Sequence, residues 1–544
     1  MASIIKLTKL ILKCYSLLII LILVSFLKGP ESYAQTPTIG LLVKKPEVTD
    51  GYTLFTPESN QNVYLINNCG KKVNEWVFSE KPGATCYLLD NGHLLRAGKD
   101  SLEIRDWDSK LIWSYAMNDN GLLQHHDIEP LPNGNILCVL TDRYTDAEII
   151  SEGRDPATTD ETFKLDKIIE LQPTGTNDAN IVWEWKFIDH FIQDFDLTKP
   201  NFGVVEDHPE LIDLNFMNNF NQDYTHVNAI DYNPVLDQII LTVRHLSEIF
   251  IIDHSTTTFE SSGHTGGNFN RGGDILWRWG NPQVYKQGGI EDQKLFLPHD
   301  AKWVDSGYLD EDKITVFNND GDGTSSFSSI HLINPEIVND TYTKEEGKFY
   351  PIDFEWSWSG SLLGEIVYQG KKSGTHSLPN GNFIICEFST GKISEINKAG
   401  DHLWTYINPS GKEVFNQFDI PVANGLFRAE KYPSNYVGFT GKDLSPQGII
   451  ENQNDNSETC ILIDDGDGTN YEIASIVNPV ANGTIEFNKN IRLKAISIID
   501  VCGRSVYEHG SFIGNQLEIN LTPAIYFLQL HFNTKTKLRK IIVL

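Results

Sequence analysis

Leu131-Pro132-Asn133-Gly134 sits between two apolar runs, and the same pattern returns as Leu89-Asp90-Asn91-Gly92 and as Leu378-Pro379-Asn380-Gly381. Asn-Gly in that setting predicts a tight hairpin turn, because both residues tolerate positive φ. A second pair of short strands follows each hairpin and ends in Trp: 102–115 with Trp113, 167–187 with Trp183 and Trp185, and 392–406 with Trp404. Two further units, 226–279 and 299–358, repeat the pattern with longer insertions. A complete unit is therefore four strands, the size of a propeller blade. Five complete units are expected, at 84–115, 126–187, 226–279, 299–358 and 373–406. Two half-units remain: 63–78 reads as a closing strand pair with Trp76, and 428–439 as an opening pair. Combining them gives the expected fold class: all-β, a six-bladed β-propeller with N-terminal strands closing the last blade, plus a small C-terminal β-sandwich. Closure removes the exposed sheet edges that an open solenoid or two separate sandwiches would keep.

The two ends of the chain differ from this array. Lys6, Lys9 and Lys13 precede an apolar run at 15–27 and a small-x-small site at Ser32-Tyr33-Ala34. That is the layout of an export signal, predicted to be 1–34, rather than of an anchor helix. The expected organisation continues with the propeller at 35–450, a linker at 451–475 centred on the Asp- and Gly-rich stretch 455–471, and a sorting β-sandwich at 476–544. Without residues 1–34 the chain carries 40 basic and 72 acidic residues. Such a balance excludes nucleic acid as the expected partner, because neutralising phosphates needs clustered Lys and Arg. Six cysteines follow the leader (Cys69, Cys86, Cys138, Cys386, Cys460 and Cys502), and none forms a CxxC pair. No zinc site is expected from them. Disulfides are permitted in an exported chain, but spacing does not give connectivity; Cys69 with Cys86 is one option. The Asp- and Gly-containing stretches 318–323 and 464–468 lack EF-hand spacing and read as turns. No metal and no cofactor are expected.

Aligning the units places His126, His226 and His299 at one phase, the first residue of three successive inner strands, with His125 adjacent to the first of them. Inner strands line the central channel, so these imidazoles should meet at one mouth. Asn228 lies two residues after His226 and shares its face. Arg244 ends the paired second strand and should return beside His226; Arg143 stands in the same relation to His126, and Arg428 falls within one residue of that phase in the sixth unit. A very acidic chain thus gathers His, Arg and Asn at one place, the composition of an oxyanion-binding and group-transfer site.

At these residues the sequence resembles the bacterial arylsulfotransferases, the aryl-sulfate sulfotransferases that use no nucleotide donor. The motifs are Tyr224-Thr225-His226-Val227-Asn228-Ala229-Ile230-Asp231-Tyr232-Asn233, Asp253-His254-Ser255-Thr256-Thr257, Trp279-Gly280-Asn281-Pro282, Pro298-His299-Asp300-Ala301 and Phe427-Arg428-Ala429-Glu430-Lys431-Tyr432. The resemblance implies sulfuryl transfer from a phenolic sulfate ester to a phenolic acceptor through a sulfated histidine. It implies His299 as nucleophile, His226, Asn228 and Arg244 as binders of the sulfuryl oxygens, and His126 as the group assisting at the donor oxygen; Arg428 joins the expected substrate-binding set. An aryl sulfate hydrolase and a non-catalytic ligand-binding propeller are the alternatives. Thr375-His376-Ser377 departs from the Ala-Gln-Arg run usual in the family, which bears on acceptor preference. The tail resembles the type A sorting domain of type IX secretion, through Asn478-Pro479, Asp500 with Gly503-Arg504, Tyr526-Phe527 and Lys540-Ile541-Ile542-Val543. It implies handling by that secretion machinery and a secreted or outer-membrane-surface location.

Overall fold

The computed structural model describes residues 37–159, 162–216, 222–452, 460, 480, 483–500, 504–531 and 536–543. The expected leader, Asn478-Pro479 and nearly all of 455–471 lie outside them. Two compact units are present, one spanning Pro37–Tyr471 and the other containing Glu472–Leu544. No helix among the described residues is long and apolar enough to cross a membrane.

The larger unit holds six antiparallel sheets of four or five strands, and in four of them the strands are taken in chain order from the innermost outward. Their innermost strands are Pro82–Leu88, Gln124–Pro130, Val227–Asn233, His299–Trp303, Gly374–Ser377 and Leu426–Pro433. Each of these touches the next, and Leu426–Pro433 touches Pro82–Leu88. The sheets are covered on both faces, so strands such as Gln238–Val243 and Glu248–Asp253 are buried along their whole length. This is why they read as continuous apolar runs rather than as alternating ones.

The Trp that closes each unit has a specific task. Trp76 Nε1 donates to Asp106 O at 2.8 Å, Trp113 to Asp178 O at 2.9 Å and Trp185 to Gly273 O at 2.7 Å. Trp277 donates to Tyr350 O at 2.9 Å, Trp356 to Lys398 O at 3.0 Å and Trp404 to Asn68 O at 2.9 Å. Each indole buries its apolar body and satisfies both its own N–H and a carbonyl of the following sheet.

The turns differ from expectation in one respect. Positive φ falls on Gly92, Gly134 and Gly381 alone, at 78°, 87° and 81°. The preceding Asn instead accepts, through its side-chain oxygen, the N–H two residues on: Asn91 from His93, Asn133 from Asn135 and Asn380 from Asn382. The loop is a four-residue turn ending in a left-handed glycine, not a two-residue one.

The closing sheet is also built differently. Its order is Leu426–Pro433, Gly51–Pro57, Val63–Asn67, Lys72–Trp76. The C-terminal half-unit thus supplies one strand rather than a pair, since Val437–Phe439 is a 3-10 turn. Gly51–Pro57 fills the second position, paired from Gly51↔Pro433 to Pro57↔Leu426. An unexpected strand, Gly40–Lys44, adds to His402–Ile407 as a fifth member of the neighbouring sheet. Cys69 is bridged to Cys460, not to Cys86. Cys86, Cys138 and Cys386 are buried thiols, and burial pushes that of Cys86 up to about 12.

The smaller unit contains a four-stranded sheet of Ser505–His509, Ala495–Ile499, Ala524–His531 and Thr536–Val543, and a pair of Thr484–Leu493 with Phe512–Glu518. These are six strands among the described residues where about seven were expected. Ile485, Ile496, Ile498, Leu517, Leu528 and Leu530 form their common core. Arg504 Nε donates to Asp500 Oδ2 at 2.8 Å, closing the turn that carries the Asp500…Arg504 motif.

Candidate active site

The three aligned histidines sit on sheet irregularities. Register shifts occur opposite residues 125–127, at Asn228 and after His299. His126, His226 and Asp300 take positive φ of 58°, 52° and 57°. A bulge re-aims the side chains of a strand end, and strained non-glycine φ values cluster at functional sites. The Asp following two of these histidines is held from below: Arg428 Nη1 lies 2.7 Å from Asp127 Oδ2 and 2.9 Å from Asp300 Oδ1.

The imidazoles come together. The rings of His126 and His226 are 4.7 Å apart between centroids, in an edge-to-face arrangement. His126 and His226 are partly open, whereas His299 is 1% exposed. The pKa of His299 is held well below the ordinary imidazole value, first by burial and then by Arg244. That of His126 is depressed by burial and by neighbouring His125, His226 and His299. Both rings are therefore neutral near pH 7. With an ordinary value of about 6.5, a histidine nucleophile would lose activity as pH falls through that range. Here the depressed value should keep the rate of enzyme sulfation by a nitrophenyl sulfate flat between about pH 7.5 and 6 in single-turnover kinetics. A decline with an apparent pKa near 6.5 would show that the attacking ring is not the buried one.

Asn319 decides which nitrogen of His299 is available. Its side-chain nitrogen donates to Gln369 O at 2.7 Å and to Lys372 O at 2.9 Å, so its oxygen faces His299 Nδ1 at 2.6 Å. The carbonyl oxygen accepts, which places the proton on Nδ1 and the lone pair on Nε2. Nε2 in turn receives the Lys372 N–H at 3.0 Å. Asn228 is fully buried and donates to Pro298 O at 2.8 Å, bracing the residue before His299. Arg244 Nη2 reaches Gly370 O at 3.4 Å, on the segment that also covers His299.

His125 and His126 form one chain with Asp166. His125 Nε2 is 2.8 Å from Asp166 Oδ1, and His125 Nδ1 is 2.6 Å from His126 Nδ1. The other oxygen of Asp166 accepts from Thr225 Oγ1 and from Val227 N–H, which fixes the carboxylate. His226 Nδ1 is 2.7 Å from Asp223 Oδ2, and its ring stacks on His245 with centroids 4.4 Å apart.

The sequence-derived set thus separates. His126, His226, Asn228, Arg244 and His299 gather at one place. Arg428, expected to bind substrate, is 4% exposed and committed to Asp127, Asp300 and Asn228 O. Arg143 lies exposed on a continuation of its strand, opposite Lys164. His376 is partly buried and accepts from Lys431 N–H at 3.2 Å. Asn319, Asp166 and the Lys372 amide were not anticipated. Asn319 could have been: it follows Ile314–Asn318 as Arg244 follows Gln238–Val243, at the end of the second strand of its sheet.

Fold and site define a nearly all-β chain whose successive sheets present clustered histidines and an arginine at one place. The model of the family described as Arylsulfotransferase (ASST) matches residues 58–344, more than half of the chain, and the chain belongs to that family. The secretion system C-terminal sorting domain matches residues 478–544, which marks the protein for export to the cell surface or beyond. No curated protein sequence matches the chain. Among solved structures, a protein of unknown function from Bacteroides caccae is similar at 13% identity and a TM-score of 0.36, covering 66% of this chain and 93% of its own. An inactive virginiamycin B lyase from Staphylococcus aureus is similar at 10% identity and a TM-score of 0.32, covering 67% and 87%. The Pan2 WD40 domain of Neurospora crassa is similar at 10% identity and a TM-score of 0.32, covering 72% and 86%.

Proposed function

We propose that the protein is a six-bladed β-propeller aryl-sulfate sulfotransferase that works through a sulfohistidine at His299, without a nucleotide donor. The observation that carries this reading is the buried, neutral His299, locked by Asn319 with its lone pair on Nε2. That lone pair attacks sulfur, an N–S bond forms and the bond from sulfur to the aryl oxygen breaks. The electron pair leaves on the phenolate oxygen. The ring gains positive charge, which the Asn319 oxygen facing Nδ1–H stabilises. Arg244, His226, Asn228 and the Lys372 amide, which yields Nε2 to sulfur, hold the sulfuryl oxygens. Sulfuryl transfer should resemble phosphoryl transfer, with a loose transition state and catalysis mainly by positioning.

The Asp166–His125–His126 chain supplies the proton. In the proposed resting arrangement His125 Nε2–H donates to Asp166 and His126 Nδ1–H donates to His125, leaving His126 Nε2 as a base. When His126 Nε2 takes a proton from the acceptor phenol, Nδ1–H passes to His125, whose positive charge faces Asp166. His126 Nε2–H then protonates the next leaving phenolate. In the second half-reaction the acceptor oxygen attacks sulfur and the N–S electron pair returns to His299.

The reading is tested with a chromogenic aryl sulfate, with and without a second phenol. Phenol release that rises with the acceptor, together with a sulfated acceptor product, supports transfer. Release at the same rate in water alone points to hydrolysis, and no release points to a binding protein. For the tail, we infer that 476–544 is a sorting β-sandwich that follows an export signal at 1–34 and is dispensable for catalysis. Deleting it should leave turnover unchanged while the protein ceases to reach the outer surface of its native host. Unchanged secretion of the truncated chain would remove the sorting role.

A further inference from the structure

A second group of histidines lies away from the proposed active site, where a long loop of one sheet meets the edge of another. The loop runs from Ser262 to Asp274, between the short helix Thr258–Ser261 and the strand Trp277–Trp279. It contains Gly263, Gly266, Gly267, Gly272 and Gly273 and has almost no apolar side chain of its own. Loops of this length inside compact domains are usually functional or separately held. His190, at the end of the 3-10 turn Phe187–His190, packs underneath, stacked on Trp185 with centroids 5.2 Å apart and planes 8° from parallel. Close passage of the loop is enforced at Gly273, where a Cβ would sit 2.0 Å from Ser261 O and 2.7 Å from His190 Nε2.

The hydrogen bonding of His190 is the informative part. Its Nε2 is 2.9 Å from Ser261 O. A backbone carbonyl can only accept, so the Nε2 proton is donated there, and Nδ1 points the other way, as a lone pair in the neutral ring or as a second N–H in the imidazolium. His190 Nδ1 faces an oxygen of Asp274 at 3.0 Å, and Nδ1 of His264 faces the same oxygen at 2.7 Å. Two imidazole nitrogens and one carboxylate oxygen thus converge, all within 4.8 Å of one another. With neutral rings, lone pair facing lone pair is repulsive unless a cation lies between them, and either a proton or a metal ion meets that need. A ring N–H donated to a backbone carbonyl is also the usual outer support of a metal-bound histidine.

We propose that His190 Nδ1, His264 and Asp274 bind a divalent transition cation, Zn²⁺ by ligand type, that staples this loop to the neighbouring sheet. Two imidazoles and one carboxylate in tetrahedral array with a water suit zinc. The nitrogen–oxygen separations are shorter than the roughly 3.4 Å edge of a tetrahedral zinc site. His264, whose side chain is 59% exposed, swings outward on binding and leaves the entry path, and the Asp274 carboxylate, at 9%, shifts by a few tenths of an ångström away from His190, which at 0% stays in place. The role is structural, because the cluster belongs to the outer loops and not to the inner strands that carry His126, His226 and His299.

The test uses the full chain, stripped with a chelator, incubated with Zn²⁺ alone, desalted and assayed for metal. Wild type should retain about one zinc per chain more than His264→Ala, a substitution at an exposed side chain whose melting transition should match that of metal-free wild type. His245→Ala should keep the equivalent, which separates this site from the Asp223–His226–His245 group. Trypsin cleavage after the exposed Arg271 should slow with Zn²⁺ in wild type and not in His264→Ala. Equal zinc content in wild type and His264→Ala, or none in either, overturns the proposal, whatever the outcome of the sulfotransferase assay.

Discussion

His299→Ala should abolish sulfuryl transfer, with a fall in turnover on the order of 10⁴–10⁶, the range seen when a covalent nucleophile is removed. The size follows from the two-step route: without Nε2 there is no N–S bond, and only positioning and oxyanion stabilisation remain. Intact-mass analysis gives the sharper readout. Wild type mixed with an aryl sulfate and no acceptor should gain one sulfuryl group on the peptide holding His299, and His299→Ala should gain none. Substantial turnover by His299→Ala, or an adduct on His126 or His226, would falsify the assignment. Asn319→Ala tests the same atom from behind. It leaves the lock on the tautomer open, so activity should fall while the adduct, when formed, still maps to His299.

Asp166→Asn should lower turnover by about 10²–10⁴, and the loss should depend on the leaving group. The isosteric amide removes the negative charge that stabilises a protonated His125, so His126 Nε2 no longer exchanges between base and acid. A nitrophenolate leaves without help, whereas a phenolate of high basicity needs the proton. The defect should therefore be small for sulfation of the enzyme by a nitrophenyl sulfate and large for unsubstituted phenyl sulfate. A uniform loss across leaving groups would instead mean that Asp166 serves only to hold Thr225 and Val227, to which it is also bonded.

The sequence was readable where periodicity and burial act alone. Repeated turns, the Trp at the end of each unit and the three histidines at one phase follow from a meander copied along the chain. What escaped was set by contacts between copies. Gly51–Pro57 falls outside every unit expected from the sequence, and its pairing with Leu426–Pro433 shows that the closing sheet divides three strands to one. Arg428 has the right phase for a substrate ligand, but two buried carboxylates from other sheets, Asp127 and Asp300, claim it. Asp166 lies on the third strand of its sheet, Thr162–Thr174, and meets His125 through a bulge that no propensity foretells. The disulfide partner of Cys69 is 391 residues away, beyond what spacing can suggest.

The closing sheet also sets a timetable. Its three outer strands leave the ribosome early, and the strand that covers the free edge of Gly51–Pro57 begins at Leu426. At about 5–20 residues per second, that edge waits roughly 20–70 s for its partner. An unpaired edge of this kind is a template for aggregation. Trp404, whose indole donates to Asn68 O, arrives equally late. The closing sheet can therefore lock only after the chain has been made past residue 426. A nascent chain cut short before residue 426 would hold all the proposed catalytic histidines and still have no partner for its first sheet.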